Sequence, residues 1–137
     1  MIKIEKLKEK DLNKILEIEK QSFTNPWSEN QFKESLNKFY TIKKWFKIVG
    51  FIGIDLIQDE AHILHMAVHP AYRNRGIAKR LMEFAIKFPA KKWLLEVRAT
   101  NTAAQKLYEK YGFKVINRRH KYYQDNDEDA LIMGRVI

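Results

Sequence analysis

Residues 66–79 read MAVHPAYRNRGIAK, and they form the most informative stretch of the sequence. A short strand ends at Val68, Pro70 breaks it, and a helix opens after Gly76. The first turn of a helix has unpaired N–H groups and the positive end of the helix dipole, so it attracts phosphate. A glycine at this point lets a ligand approach the backbone without a Cβ in the way. The stretch therefore predicts either a phosphate-binding strand-turn-helix or an ordinary turn with a basic, solvated surface.

The elements on either side of this turn follow from hydrophobic spacing. Strands are expected at 2–7, 39–45, 47–58, 61–69, 93–98, 113–123 and 130–136, where β-branched and aromatic residues or alternating polarity dominate. Helices are expected at 11–22 behind an Asp11 cap, from a Ser28/Gln31 capping box with Trp27 stapled to Phe32, at 77–88 before Pro89, and at 101–111 between Asn101 and Gly112. The order β-α-α-β-β-β-α-β-α-β-β predicts an α/β (α+β mixed) fold. One mixed, mostly antiparallel sheet carries helices on both faces, in a single domain spanning 1–137.

Composition and charge narrow the functional classes. The 137 residues carry 26 Lys and Arg against 17 Asp and Glu, a net charge of +9, and they include no cysteine. The lack of cysteine excludes disulfides, thiolate zinc sites and a cysteine acyl-enzyme, and it fits a reducing cytoplasm. The opening MIKIEKLKEKDL does not resemble a signal peptide, and no apolar run approaches the roughly 18–20 residues of a membrane span. We therefore expect a cytoplasmic protein without a membrane partner.

The stretch from Trp93 to Tyr111 holds the candidate reactive groups. Glu96 lies inside the apolar strand WLLEVR, where a carboxylate is costly unless it is paired or used. A cross-strand ion pair with an arginine is the structural alternative for Glu96. Tyr108 lies on one helical stripe with Ala104 and Tyr111, where core packing is the alternative, and Asn101 could be merely a helix cap.

The turn motif resembles a known cofactor signature. Its key residues are Val68, Pro70, Arg73, Gly76 and Ala78. This pattern is similar to the acetyl-CoA signature R/Q-x-x-G-x-G/A of the GCN5-related N-acetyltransferase (GNAT) family, whose fold has the same element order. The resemblance implies that backbone amides in this turn hold the CoA pyrophosphate and that the preceding strand pairs with the pantetheine arm. The implied cofactor-binding residues are Met66, Ala67, Val68, Arg73, Asn74, Arg75, Gly76, Ile77, Ala78 and Lys79.

Three further stretches narrow the resemblance. Residues 95–113 (LEVRATNTAAQKLYEKYGF), 23–29 (FTNPWSE) and 118–133 resemble the RimI-type ribosomal-protein alanine N-acetyltransferases, in collinear order over essentially the whole chain. The resemblance implies that Glu96 is the general base, Tyr108 the general acid, and Asn101 a contact to the pantetheine arm. It also implies that Phe23 and Pro26, with Tyr122 and Tyr123 in the turn before the last strand, bind the substrate peptide. A monomer that acetylates a protein N-terminus, such as that of ribosomal protein S18, with acetyl-CoA as cosubstrate is expected.

Other functions stay open at this stage. Within the same family, the acceptor could be a lysine side chain or a small amine. A non-catalytic, basic nucleic-acid-binding module would need its cations on one face beside stacking aromatics, whereas here they are scattered along the sequence, so no specific nucleic acid is expected. The acidic run from Asp125 to Asp129 could attract a cationic amine or be a solvated loop. His62, His65 and His69 lie on a strand rather than a helix, so no metal is expected.

Overall fold

The computed structural model describes residues 1–123 and 125–136. Its strands are β1 Ile2–Lys6, β2 Phe39–Lys44, β3 Lys47–Ile57, β4 Glu60–Val68, β5 Lys92–Arg98, β6 Lys114–Tyr123 and β7 Glu128–Val136. Its α-helices are α1 Leu12–Ser22, α2 Glu29–Glu34, α3 Ile77–Ala85 and α4 Thr102–Lys110. The strands form one mixed sheet in the order β1-β2-β3-β4-β5-β7-β6. The fold class and the element order predicted from the sequence are therefore confirmed.

The first of two compact units comprises Met1–Ile54 and His65–Lys87. Neighbouring residues on a strand point to opposite faces of the sheet. On β2, Phe39 packs against Phe32 of α2 with ring centroids 5.2 Å apart, and Tyr40 packs against Phe84 of α3 at 5.0 Å. Helices therefore cover both faces of the sheet in this unit. The α1/α2 side holds a core of Leu7, Leu12, Ile15, Ile18, Phe32, Phe39, Ile48, Phe51 and Ala67.

The second compact unit comprises Asp55–Leu64 and Phe88–Ile137. Here β4 pairs in parallel with β5 from Glu60–Lys92 to Ile63–Leu95. On its other side β5 pairs antiparallel with β7 along its whole length, as far as Arg98–Ala130. Burial alternates along β5, with Trp93, Leu95 and Val97 buried and the intervening side chains partly exposed. A single domain over 1–137 stays a prediction.

Two local predictions about helix ends are wrong. Asp11 occupies the N-cap position of α1, but its side chain accepts no capping hydrogen bond there. Asp11 ends a short 3₁₀ turn with φ −96° and ψ 0°, whereas a capping residue typically has an extended backbone, as Ser28 has before α2. Helix α3 ends at Ala85 instead of continuing to Phe88. The chain tightens there, with the Lys87 N–H donating to the Phe84 carbonyl at 3.3 Å, and the residue before Pro89 disfavours helical geometry.

The remaining helix starts follow the sequence prediction. Ser28 and Gln31 form the capping box, with the Ser28 N–H 2.8 Å from Gln31 Oε1 and the Gln31 N–H 3.2 Å from Ser28 Oγ. Trp27 and Phe32 meet with ring centroids 5.2 Å apart, as the staple requires. Asn101 caps α4, because its Oδ1 accepts a hydrogen bond from the Ala104 N–H at 3.2 Å.

Candidate active site

The loop between α1 and α2 is anchored on a buried carboxylate. Glu19 has no exposed surface, and its Oε2 accepts a hydrogen bond of 2.9 Å from the Trp27 N–H. The same carboxylate contacts His65 Nε2 of β4 at 2.7 Å and 2.8 Å. The His65 ring stacks on Trp27 with centroids 5.0 Å apart, and it lies 4.5 Å from the Phe23 ring. The segment from Phe23 to Trp27, which includes Pro26, is thereby fixed by a polar pair enclosed in aromatic rings.

Sequence reasoning missed this pair, although the signal was present. Glu19 follows Ile15 by one helical turn and therefore lies on the buried face of α1. His65 lies two residues from each of the buried residues Ile63 and Ala67 along β4, so its side chain points to the same face of the sheet as theirs. A carboxylate and an imidazole on facing apolar surfaces predict a buried pair.

The turn before α3 contains two residues with a left-handed backbone conformation. Asn74 and Gly76 both have positive φ, at 61° and 79°, so the chain turns sharply before Ile77 starts the helix. A Cβ added at Gly76 would meet no atom within 4 Å, which leaves the first turn of α3 open. Arg75, Lys79 and Arg80 are exposed around it, while Ile77 is buried and Ala78 is half-buried. The turn therefore presents backbone amides and positive charge on one surface.

The Arg73 side chain stabilises this turn through two hydrogen bonds. Its Nε donates to the Val68 carbonyl at 3.1 Å, and its Nη2 donates to the Ser22 hydroxyl at 3.1 Å. These bonds tie the end of β4 to the end of α1 inside the first unit. Met66 and Val68 are half-buried and Ala67 is buried at this end of β4, beyond the last pair of the β4–β5 ladder at Ile63.

Glu96 lies in the second unit with a hydroxyl partner instead of a cation. Its position opposite Ile132 of β7 places no arginine across the strand. The Tyr122 hydroxyl donates a hydrogen bond to the Glu96 carboxylate, and this bond raises the pKa of Tyr122. The cross-strand ion pair considered for Glu96 is therefore wrong within the described residues.

Tyr108 is held rigidly on α4. Only 8% of it is exposed, and burial raises the pKa of its hydroxyl to about 12, with a smaller contribution from Tyr123. The helix ends two residues later, at Lys110, in a Schellman motif. There the N–H of Phe113 donates to the Tyr108 carbonyl at 3.2 Å, and Gly112 has a φ of 86°. Its ring also packs on Phe113 with centroids 6.0 Å apart. The phenol is therefore fixed in position and protonated at neutral pH.

Arg98 organises the turn between β6 and β7. Its guanidinium bonds to Asp125 at 2.9 Å and 3.0 Å and to Glu128 at 3.2 Å. It also lies over the Tyr123 ring, 4.0 Å from the centroid. Glu128 accepts hydrogen bonds from the backbone and hydroxyl of Thr100, which together with Arg98 lower the pKa of Glu128 to about 2. Most carboxylates of the acidic run are therefore paired with other groups of the protein, and no local sequence pattern indicated Arg98 as a partner.

Tyr122 and Tyr123 end β6 and do not form the turn that was predicted for them. The reason is that β6 pairs with β7 again at Tyr123–Glu128, after an irregularity in the register. The two rings meet edge to face with centroids 5.2 Å apart. Burial raises the pKa of Tyr123 to about 12 despite the neighbouring Arg98.

His65 of β4 and His69 in the turn after it form local contacts and do not form a metal site within the described residues. His69 Nδ1 accepts a hydrogen bond from the Ala71 N–H at 3.0 Å, and His65 is paired with Glu19. No cluster of three or more potential metal-ligating side chains occurs among residues 1–123 and 125–136. In the same part of the chain, none of the helices has the length and apolar character needed to cross a bilayer.

Comparison with known proteins agrees with the motifs and the fold. The acetyltransferase (GNAT) family model matches residues 12–113. A [ribosomal protein bS18]-alanine N-acetyltransferase of Haemophilus ducreyi is 37% identical over 146 aligned positions, covering 98% of this chain and 99% of the relative. The crystal structure of the ribosomal-protein-S18-alanine N-acetyltransferase from Escherichia coli has a TM-score of 0.93 at 33% identity, covering 100% of this chain and 94% of that chain.

A further solved structure extends the comparison to complexes with ligands. The crystal structure of the NatC complex bound to Gag peptide and CoA has a TM-score of 0.85 at 25% identity, covering 99% of this chain and 98% of that chain. The resemblance indicated by residues 66–79 and 95–113 is thereby confirmed. Since the family model spans most of the sequence, the chain belongs to the acetyltransferase (GNAT) family.

Proposed function

We propose that this enzyme is an acetyl-CoA-dependent protein Nα-acetyltransferase whose acceptor is the N-terminal α-amine of a protein such as ribosomal protein bS18. The observation that carries the proposal is the half-buried Glu96 carboxylate, which accepts a hydrogen bond from the Tyr122 hydroxyl and has no cation partner among residues 1–123 and 125–136. Such a carboxylate can accept the proton that an attacking amine must lose. The names of the relatives from Haemophilus ducreyi and Escherichia coli support the choice of acceptor.

The turn before α3 supports acetyl-CoA as the donor. The open space at Gly76 and the exposed Arg75 and Arg80 suit the close approach of a pyrophosphate. In this proposal the amides from Asn74 to Lys79 hold the pyrophosphate, and Asn101 contacts the pantetheine arm. The pantetheine arm pairs with the backbone of Met66, Ala67 and Val68, and Arg73 stabilises the turn through its bonds to Val68 and Ser22.

The proposed reaction is a direct transfer in a ternary complex. The amine nitrogen forms a bond to the acetyl carbon, the thioester C–S bond breaks, and its electron pair leaves with the sulfur. Glu96 receives the amine proton through water, and the Tyr108 hydroxyl donates its proton to the departing thiolate. Burial keeps Tyr108 protonated at neutral pH, as a general acid must be. The chain has no cysteine that could form an acyl-enzyme intermediate.

An α-amine is easier to deprotonate than a lysine side chain, and it therefore suits Glu96 and Tyr108 better as an acceptor. The pKa of an N-terminal amine is about 8, whereas that of lysine is about 10.4. Near neutral pH roughly a tenth of an α-amine is already neutral, compared with well below 1% of lysine. A single carboxylate acting through water therefore suffices for the α-amine.

The peptide is proposed to bind at two segments that the structure holds rigidly. Phe23 and Pro26 belong to the loop anchored by Glu19, and Tyr122 and Tyr123 belong to the end of β6 beside Arg98. Aromatic rings and hydroxyl groups of this kind can pack on and hydrogen-bond to an extended peptide. We further propose that 1–137 acts as a single catalytic domain, as a monomer, and in the cytoplasm, where a ribosomal acceptor would be found.

The acceptor can be identified with one peptide that offers both amine types. The probe is a peptide with an N-terminal alanine and an internal lysine, incubated with acetyl-CoA and the enzyme. Mass spectrometry with fragmentation then locates the acetyl group, which we expect on the α-amine.

The matched control is the same peptide with its N-terminus already acetylated. We expect no further acetylation of this control peptide. Acetyl transfer to lysine in both peptides, or transfer only to a polyamine added in place of the peptide, would contradict the proposal.

A further inference from the structure

A groove at the β2–β3 hairpin contains neither Glu96 nor Tyr108, and it shares Arg75 with the turn that is proposed to bind acetyl-CoA. The groove lies within the first unit and has a volume of about 750 Å³. Trp45 and Phe46 form the two-residue turn between Lys44 and Lys47. The groove is lined by this hairpin tip, by Lys14 of α1, and by Tyr72 and Arg75 of the turn before α3. We call it the hairpin groove.

The tip of the hairpin exposes two large aromatic side chains. Trp45 is 67% exposed and Phe46 is 96% exposed. Trp45 also has a φ of 60°, at a hairpin position where glycine, asparagine or aspartate is usual. A bulky residue in this conformation is unfavourable for folding by about 1–3 kcal/mol. Folding therefore gives no reason for an aromatic pair at this turn, whereas a ligand that contacts the rings does.

The groove is strongly cationic. Five of its lining residues are Lys or Arg, and Asp11 is its only acidic lining residue among the described part of the chain. Lys43 and Lys14 have carboxylate partners in Glu5 and Glu17.

The remaining cations lack such partners. Lys44, Lys47 and Arg75 have no carboxylate partner among residues 1–123 and 125–136. Lys47 and Arg75 both lie 5.6 Å from the centroid of the Tyr72 ring. The cations and the aromatic rings are therefore interleaved along one concave surface.

We propose that the hairpin groove binds single-stranded RNA. Unpartnered cations beside exposed rings match the phosphates and the unstacked bases of a single strand. A bilayer is planar and could contact the protruding Phe46, but it could not reach the concave wall at Tyr72 and Lys14. The choice of RNA over DNA rests on the proposed function, since a ribosomal acceptor is surrounded by RNA. The basic residues that are scattered in the sequence are thus partly gathered by the fold.

The test is fluorescence anisotropy of labelled (rU)20 with the full-length protein and its variants. We expect Trp45→Ala/Phe46→Ala to weaken binding at least tenfold, because each base stacked on an aromatic ring contributes about 1–3 kcal/mol. We expect Lys44→Gln/Lys47→Gln to lower the slope of log Kd against log salt by about 1.4, that is, about 0.7 for each lost phosphate contact. The matched control Lys106→Gln/Lys110→Gln removes two exposed lysines from α4, and it should change neither quantity.

Several outcomes would overturn the inference. The first two are the absence of (rU)20 binding and unchanged binding by the Trp45→Ala/Phe46→Ala variant. The other two are equal affinity for a duplex RNA, whose bases are stacked inside, and a tenfold preference for (dT)20. Binding to phosphatidylglycerol vesicles without binding to RNA would assign the surface to membranes instead. Acetylation of a free peptide is measured in parallel and should be unchanged in the hairpin variants. Loss of RNA binding is thereby distinguished from failure of the proposed enzymatic function.

Discussion

His65 Nε2 lies 2.7 Å and 2.8 Å from the two carboxylate oxygens of Glu19, a side chain without exposed surface. Glu19 also receives the Trp27 N–H, so one buried group joins α1, β4 and the loop that carries Phe23 and Pro26. The geometry of the proposed peptide-binding loop therefore depends on Glu19, a residue that has no role in the proposed chemical steps.

We expect Glu19→Ala to lower the free energy of unfolding by about 3 kcal/mol, because it leaves the partly buried Trp27 N–H and His65 Nε2 without their partner. We also expect the KM for the acceptor peptide to rise, with a smaller change in the KM for acetyl-CoA. Urea denaturation and steady-state kinetics measure these effects. Glu17→Ala on the same helix removes only an exposed carboxylate, so its stability should change by less than about 0.5 kcal/mol. Equal effects of the two variants would show that the buried pair has no special role.

Glu96→Gln and Tyr108→Phe should each reduce kcat by about 10²-fold or more, since each removes one proton-transfer group. The Kd for CoA, measured by calorimetry, should stay within about twofold of the wild-type value, because neither residue is proposed to bind the cofactor. Glu109→Gln removes an exposed carboxylate from α4 and serves as the control that retains activity. Near-normal turnover in both variants would remove Glu96 and Tyr108 from the mechanism.

The rate should depend on pH in a way set by the acceptor. We expect kcat/KM to rise toward a plateau near the pKa of the α-amine, about 8, as the neutral amine becomes the main form. Tyr108 should not cause a fall in rate until the pH approaches about 12, because burial keeps its hydroxyl protonated below that value. A descending limb near pH 10 that disappears in Tyr108→Phe would show that the hydroxyl titrates normally.

Glu128 should contribute to stability in acid. Hydrogen bonds from Thr100 and Arg98 lower the pKa of Glu128 from 4.5 to about 2 in the folded protein. The contribution is therefore fully present above the unfolded-state value and is lost as the pH falls from about 4.5 to about 2.

Glu128→Gln should make the free energy of unfolding less steep across that window, as measured by urea denaturation at a series of pH values. Asp127→Asn changes a neighbouring exposed carboxylate and should keep the wild-type slope. If the two variants gave the same slope, the bonds from Thr100 and Arg98 would not be the source of the effect.

Local spacing was sufficient to predict the order of the elements and most of their ends. The alternation in WLLEVR determined which side chains of β5 are buried, and the Ser28/Gln31 pair determined the start of α2. These features depend on interactions between residues that are close in sequence, so the local sequence is enough to predict them. Asp11 shows the limit of that reasoning, since the preceding 3₁₀ turn sets its backbone angles and prevents the cap.

Only the tertiary structure decided which distant groups meet. Glu19 and His65 are 46 positions apart, and Arg98 reaches Asp125 across 27 positions. Lys14, Lys47 and Arg75 reach one groove from three separate segments. Partners at such separations are set by strand order and helix packing, and the local sequence does not encode them. The amino-acid sequence was therefore enough to predict the family, whereas folding determined which charged side chains are paired and which stay available to a ligand.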